Sequence, residues 1–147
     1  MSVYIHKSHN VSVMIYHVVC CVKYRNESIT DEVDKEMKKI CMEIEERYDL
    51  HFLEIGTDVD HVHFLIQSIP MMSATRMVQS VKSIIGREIF RRRPEVKRDL
   101  WGGEFFGNGY FVSTVSKTVT ESVITKYVKE QGYGKYRQIH KDQLKLI

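Results

Sequence analysis

Seven residues near the middle of the chain, Asp60-His61-Val62-His63-Phe64-Leu65-Ile66, restrict the fold more than any other stretch. The run is apolar, rich in β-branched and aromatic residues, and reads as a strand. Side chains on a strand alternate between faces, so His61 and His63 share one face while Val62, Phe64 and Ile66 point to the other, into a core. A helix would turn residues at this spacing to different sides. Two imidazoles on one face of a rigid strand are half of a metal site. Taken alone, such a pair is more often two ordinary histidines on a sheet surface.

The flanking sequence supplies a sheet for that strand. Residues 11–22 (VSVMIYHVVCCV) are apolar on both faces, which predicts a central strand closed by Lys23, Tyr24 and Arg25. Thr30 is placed to cap a helix whose first turn carries Asp31 and Glu32, where the helix dipole favours acids. Val33, Met37, Ile40, Cys41, Ile44 and Tyr48 recur at three- and four-residue steps and carry this helix to about Arg47. Residues 51–56 (HFLEIG) predict a short strand, with Gly56-Thr57-Asp58 as the turn of a hairpin into the histidine strand. Pro70 ends that strand, and Ser73 caps a second helix with a buried stripe of Met77, Val81, Ile84 and Ile85. Its opposite stripe, Arg76, Ser80, Ser83, Arg87 and Arg91, is polar and basic, and Pro94 stops it. A glycine-rich aromatic segment, residues 100–110, leads into a strand over 110–115. Thr118 or Thr120 caps a last helix running to about Gln131, with Gly132 as its stop.

The order strand, helix, strand, strand, helix, strand is the ferredoxin-like (RRM-like) α+β pattern, a four-stranded antiparallel sheet with two helices on one face. The other face would carry His61 and His63 and receive the final helix, which bears Tyr127. At 147 residues and 43% hydrophobic content, residues 1–147 are expected to form a single domain, with a core over about 10–132 and a polar, basic tail over 133–147. No apolar run is long enough for a transmembrane helix, and the N-terminus lacks a signal-peptide pattern. Three cysteines, two of them adjacent and none in a CxxC, fit neither a disulfide framework nor a zinc knuckle, so a reducing cytoplasm is expected.

The net charge of +3 says little, but its distribution says more. Residues 87–98 (REIFRRRPEVKR) hold six Arg or Lys against two Glu, which leaves the remainder of the chain near −1. A concentrated basic patch on a nearly neutral body suits a polyanion; a solvated helix end is the plainer alternative. On the last helix Tyr127 and Gln131 stand four apart, so a phenol and an amide oxygen share one face. A tyrosine packing its ring on the sheet is the structural alternative.

As a set these residues resemble the single-tyrosine HUH transposases (TnpA-like) of bacterial and archaeal insertion sequences. The matching features are Asp60 to Ile66, Lys23-Tyr24-Arg25 after the first strand, Trp101-Gly102-Gly103 with Tyr110-Phe111-Val112, and Tyr127 with Gln131. They run in order over roughly residues 10–132; Phe106 stands where the family often has a second tryptophan.

The resemblance implies that Tyr127 is the nucleophile and that a divalent ion, Mg²⁺ or Mn²⁺, is held by His61, His63 and the Gln131 side-chain oxygen. A phenol titrates near pH ~10 and is a weak nucleophile unless assisted. An ion on two imidazoles and an amide could supply that assistance by polarising a phosphodiester, and imidazole matches Mn²⁺ better than Mg²⁺. The resemblance further implies a 5′-phosphotyrosine on single-stranded DNA, rejoining without ATP or any nucleotide cofactor, DNA hairpins from element ends as substrates, and a homodimer. Lys23, Arg25, Arg76, Arg87, Arg91, Arg92 and Arg93 are the candidate phosphate contacts. Tyr110, Phe111 and Trp101 could stack on unpaired bases, with core packing the expectation for at least two of them and Trp101 leaning structural.

Two other hydrolase readings fail on residues. A histidine-triad hydrolase wants a third histidine where Leu65 stands, and a phosphoesterase with paired His-x-Thr/Ser motifs wants a second such strand. A non-catalytic RRM-like single-stranded nucleic-acid-binding protein, such as a domesticated transposase, is the alternative from a different class; RRM-like modules put aromatics where this strand has His61 and His63.

Overall fold

The computed structural model describes residues 5–7, 10–12, 14–115 and 137–138. Strands β1 (Ile5–Lys7) and β2 (Asn10–Ser12) pair with each other as a small antiparallel ribbon. The main sheet is built from β3 (Met14–Cys21), β4 (His51–Asp58), β5 (His61–Ser68), β6 (Phe111–Val115) and β7 (Arg137–Gln138), in the order β6-β3-β5-β4-β7, every neighbour antiparallel. Helices α1 (Asp31–Arg47) and α2 (Ala74–Arg92) fall between β3 and β4 and between β5 and β6. The four strands β6-β3-β5-β4 with these helices are the ferredoxin-like arrangement.

One sheet face and the two helices form the core. Tyr16, Val18 and Cys20 of β3 lie beside Ile66, Phe64 and Val62 of β5, and against them pack Val33, Met37, Ile40 and Ile44 of α1 with Met77, Val81, Ile85 and Ile89 of α2. Of the expected α2 stripe only Ile84 falls short, being half-buried at the margin. The N-caps expected for α1 and α2 form: Thr30 Oγ1 accepts the Val33 N–H at 3.3 Å, and Ser73 Oγ the Arg76 N–H at 3.1 Å. Buried Asp34 then ties α1 to the sheet, accepting from the Thr57 hydroxyl at 2.7 Å while pairing with Lys38 at 3.0 Å.

Four boundaries differ from the sequence reading, each for a local reason. The apolar run 11–22 is split between two strands, because hydrophobic pattern marks strands without naming their partners. Gly56, Thr57 and Asp58 are not a turn: β4 runs through Asp58, which stands opposite His61, and the chain reverses over residues 59–60. Pro94 ends α2 and also opens the short helix α3 (Pro94–Asp99), where a residue without an N–H costs nothing. The tail contributes β7, two polar residues on the β4 edge with no periodicity to announce them. The helix expected over 118–131, with Tyr127 and Gln131, lies outside the described residues. Among the described residues no helix is long and apolar enough to cross a membrane.

Candidate functional site

His61 and His63 stand on β5 as its alternation requires, on the sheet face turned away from α1 and α2. The face is not a wet surface: His61 is 1% exposed and His63 fully buried. Their neighbours on this face come from the strands on either side. Cys21 and Val19 of β3 lie opposite His61 and His63, and Asp58 and Gly56 of β4 do so from the other edge.

Gly56 is what makes the position of His63 possible. A Cβ on residue 56 would overlap the His63 ring, Nε2 first, so the imidazole lies across β4 where only glycine leaves room. By sequence alone this glycine predicts a turn. A glycine inside a strand pattern can mark a close approach instead of a turn, and the register that sets Gly56 opposite His63 decides between them.

His61 is oriented from the opposite side. Its Nδ1 is 2.9 Å from Asp60 Oδ1, while Asp60 Oδ2 receives Arg25 Nε at 3.2 Å and Nη2 at 3.1 Å. A carboxylate holding Nδ1–H fixes the tautomer and leaves Nε2 with its lone pair for a ligand. Burial opposes ionisation of Asp60, but the His61 hydrogen bond and the Arg25 guanidinium hold its carboxyl below the usual range. Arg25, expected as a phosphate contact, is thus half-exposed and engaged with Asp60.

A third imidazole joins them. His17 of β3 lies on the same face, buried, with its ring 5.8 Å from that of His63. Its register opposite Leu65, diagonal to His63, comes only from strand pairing. Burial pushes His17 down to about 4; burial first, then the neighbouring His17 and His61, push His63 down to about 3. Both rings are therefore neutral near pH 7, the form that binds metal. Among the described residues no three His, Cys, Asp or Glu side chains gather into a metal cage, and Gln131, the expected third ligand, lies outside them.

These depressed values set a pH dependence of stability. Unfolded histidines titrate near pH ~6.5, so between about pH 4 and 6.5 the unfolded chain binds more protons than the folded one. Stability contributed by the two rings is complete above that window and is lost as pH falls through it. Thermal melts in chelator are expected to give a level Tm above pH ~7 and a falling one below pH ~6.5, flattened by His17→Gln. A level Tm down to pH ~4.5 would show that these rings charge at no cost.

The basic residues separate into two groups. Arg92 is largely buried and bonded to Glu43 at 2.6 Å and Glu88 at 3.2 Å; Arg91 pairs with Glu88 at 2.7 Å and Arg93 with Glu95 at 2.9 Å. These guanidiniums are engaged with acids around the end of α2, pairings that the charge count alone does not show. Arg76 and Arg87 are exposed on α2, and beside Arg87 a cleft of about 410 Å³ opens toward the glycine-rich loop. Lys82 orders that loop, donating to the carbonyls of Gly107, Asn108 and Gly109 at 2.7, 3.2 and 3.2 Å. Because α2 buries its other face on the core, this basic stripe and the histidine pair look out from opposite sides of the molecule.

Of the aromatics, Tyr110 is half-buried with its hydroxyl 3.3 Å from Thr75 Oγ1, and Phe111 is partly exposed. Trp101 departs from its structural expectation and is 79% exposed, for reasons taken up below.

Comparison with known proteins agrees with this architecture. Residues 10–131, a span that contains His61, His63, Tyr127 and Gln131, match the family model described as IS200-like transposase. The ISDra2 transposase TnpA of Deinococcus radiodurans is 33% identical over 116 residues, 79% of this chain and 82% of that protein. The transposase for insertion sequence element IS200 of Salmonella typhimurium is 28% identical over 116 residues, 79% of this chain and 75% of that one. A crystal structure from D. radiodurans described as a transposase superposes with a TM-score of 0.69 at 28% identity, covering 88% of this chain and 99% of the other. The REP-associated tyrosine transposase bound to a REP hairpin has the same fold, with a TM-score of 0.52 at 9% identity over 91% of this chain and 76% of that one. The chain belongs to the IS200-like transposase family.

Proposed function

We propose that this protein cuts and rejoins single-stranded DNA at insertion-sequence ends, with Tyr127 as nucleophile and hairpins as the recognised structures. The observation that carries the reading is the pair of buried imidazoles, His61 oriented by Asp60 and His63 laid over Gly56.

The donors fit a divalent ion: two imidazoles on one strand face, one fixed in its tautomer by a carboxylate and one kept neutral by burial, beside a backbone stripped of Cβ. His61 and His63 would hold it with Gln131, and a bound Mg²⁺ or Mn²⁺ would supply electrostatic stabilisation of the phosphodiester's developing negative charge. The chain's own residues do the rest. The Tyr127 oxygen attacks phosphorus and gives up its proton, and the bond to the 3′-oxygen breaks, releasing a 3′-hydroxyl. A 5′-phosphotyrosine remains, and attack on it by a 3′-hydroxyl restores the phenol and reseals the strand, so no nucleotide cofactor is consumed. Asp60 and Arg25 keep the His61 ring from turning throughout. A homodimer, as in the resemblance, is part of the proposal.

Hairpin binding is assigned to the exposed cations of α2. Arg87→Ala is expected to weaken binding uniformly across sequences and lower the salt slope by about 1, and a slope unchanged in filter binding would remove Arg87 from the phosphate contacts.

The direct test mixes labelled single-stranded DNA from the element ends with protein and Mn²⁺ and separates the products on a denaturing gel. A protein–DNA adduct that survives denaturant is the expected result. A tight native shift with no adduct would instead assign the chain to non-catalytic nucleic-acid binding.

A further inference from the structure

We propose that Tyr24 and Trp101 form a stacking site for an unpaired DNA base at the entrance to the histidine face. The proposal rests on the strand-transfer reading above; it joins Tyr24, to which that reading gives no part, to Trp101, a stacking candidate from the sequence.

The two rings meet edge to face on an exposed surface. Tyr24 is 67% exposed and Trp101 79%, their centroids are 5.6 Å apart, and the planes meet at 68°. Large aromatics held in water need a reason, and the backbone sharpens the point. Trp101 follows α3 with φ 55, and the N–H of Gly102 bonds to the Lys97 carbonyl at 2.8 Å while that of Trp101 bonds to the Arg98 carbonyl at 3.1 Å. This is a Schellman cap with tryptophan at the left-handed position, where glycine is by far the easiest occupant. Tyr24 sits at φ 62 in the single 3₁₀ turn Lys23–Arg25. Among the described residues only Tyr24, Arg25 and Trp101 combine a side chain with positive φ. Two of them are the touching rings and the third grips Asp60. Backbone cost retained at three linked positions is what a binding surface, and not packing, would call for.

The site is wired to the histidines. The Val22 N–H bonds to the Asp60 carbonyl at 2.9 Å and the Lys23 N–H to the Phe105 carbonyl at 2.8 Å, so the turn carrying Tyr24 is fixed to the loop that opens β5. Arg25 then reaches Asp60, which holds His61. The basic stripe of α2 faces elsewhere, whereas this aromatic pair is linked to the histidine strand through Arg25 and Asp60. Lys23 Nζ stands 5.7 Å from the Tyr24 ring centre and, among the described residues, makes only a long pair, 3.9 Å, with the exposed carboxylate of Glu104, so it is the cation within reach of a phosphate. Cations beside exposed aromatic faces are the combination that holds single strands, the cations meeting phosphate and the rings meeting any base.

Trp101 is the chain's only tryptophan, so its emission reports the site directly. The protein is titrated with oligothymidylate, with a blunt hairpin, and with the same hairpin carrying an unpaired thymidine tail. Quenching by the oligothymidylate and the tailed hairpin, and not by the blunt one, is expected. Tyr24→Ala should weaken oligothymidylate binding about tenfold. Trp101→Gly, followed by gel shift, should do the same without lowering Tm, because glycine suits the cap; a matched loss of Tm would make the ring structural and overturn the site. Unchanged emission while the tailed hairpin is fully shifted also overturns it and leaves strand transfer standing. Quenching without any covalent adduct keeps the stacking site and removes strand transfer. Emission that changes with protein concentration in the absence of DNA would assign the rings to a second copy of the chain and overturn the proposal.

Discussion

Tyr127→Phe is expected to reduce covalent adduct and cleavage by more than about a thousandfold while hairpin affinity stays within a few-fold. The substitution deletes one oxygen. A phenyl ring has the same shape as the phenol, and loss of a single neutral hydrogen bond costs binding about 1 kcal/mol. Chemistry has no such reserve, because without the oxygen there is no atom to bond to phosphorus and water must attack instead. The measurement is one set of samples run on native and denaturing gels in parallel. Equal loss in both gels would make Tyr127 a folding or docking residue. A surviving adduct would transfer the nucleophile's role to another of the chain's eight tyrosines.

How much of this was legible in the sequence depends on which residues carried a periodic signal. The histidine strand was legible because period-two alternation in a β-branched run fixes both the element and the face, and β5 carries His61 and His63 as expected. The helices were legible through caps and apolar steps, and α1 ends at Arg47 as its pattern predicts. Strand order followed from the sequence of elements, since the βαββαβ succession has few ways to pair.

What resisted was everything decided across strands. His17 is an unremarked residue in an apolar run until pairing brings its ring beside His63. Gly56 reads as a turn until register sets it against the same ring. Asp60 was visible only as the first letter of a motif, whereas its work lies in its two partners, His61 and Arg25. Charge was legible as a total and not as a function: the Arg91–Arg93 run answers acids on α1, α2 and α3, which no count of +4 could reveal. Trp101 leans structural by sequence with stacking left open, and its exposure on a left-handed cap follows from backbone geometry that no sequence period announces.

Gly56→Ala tests the site through a residue that has no chemistry of its own. The added methyl needs the space that the His63 ring fills, so the imidazole must rotate away or β4 must shift. Overpacking a well-packed position costs about 1–3 kcal/mol, enough to lower Tm by several degrees without unfolding the chain. Moving a ligand by an ångström or more costs catalysis about a hundredfold. Mn²⁺ affinity, measured by calorimetry, and adduct formation should therefore fall together while the hairpin shift persists. His63→Ala should lose the same two activities for a different reason, and the pair forms a double-mutant cycle. With the ring already gone the methyl has room, so Gly56→Ala should cost far less stability in the His63→Ala background than alone. Equal costs in both backgrounds would mean that the methyl meets something other than His63. Full cleavage by Gly56→Ala would mean that the reaction does not need the ring where β4 holds it.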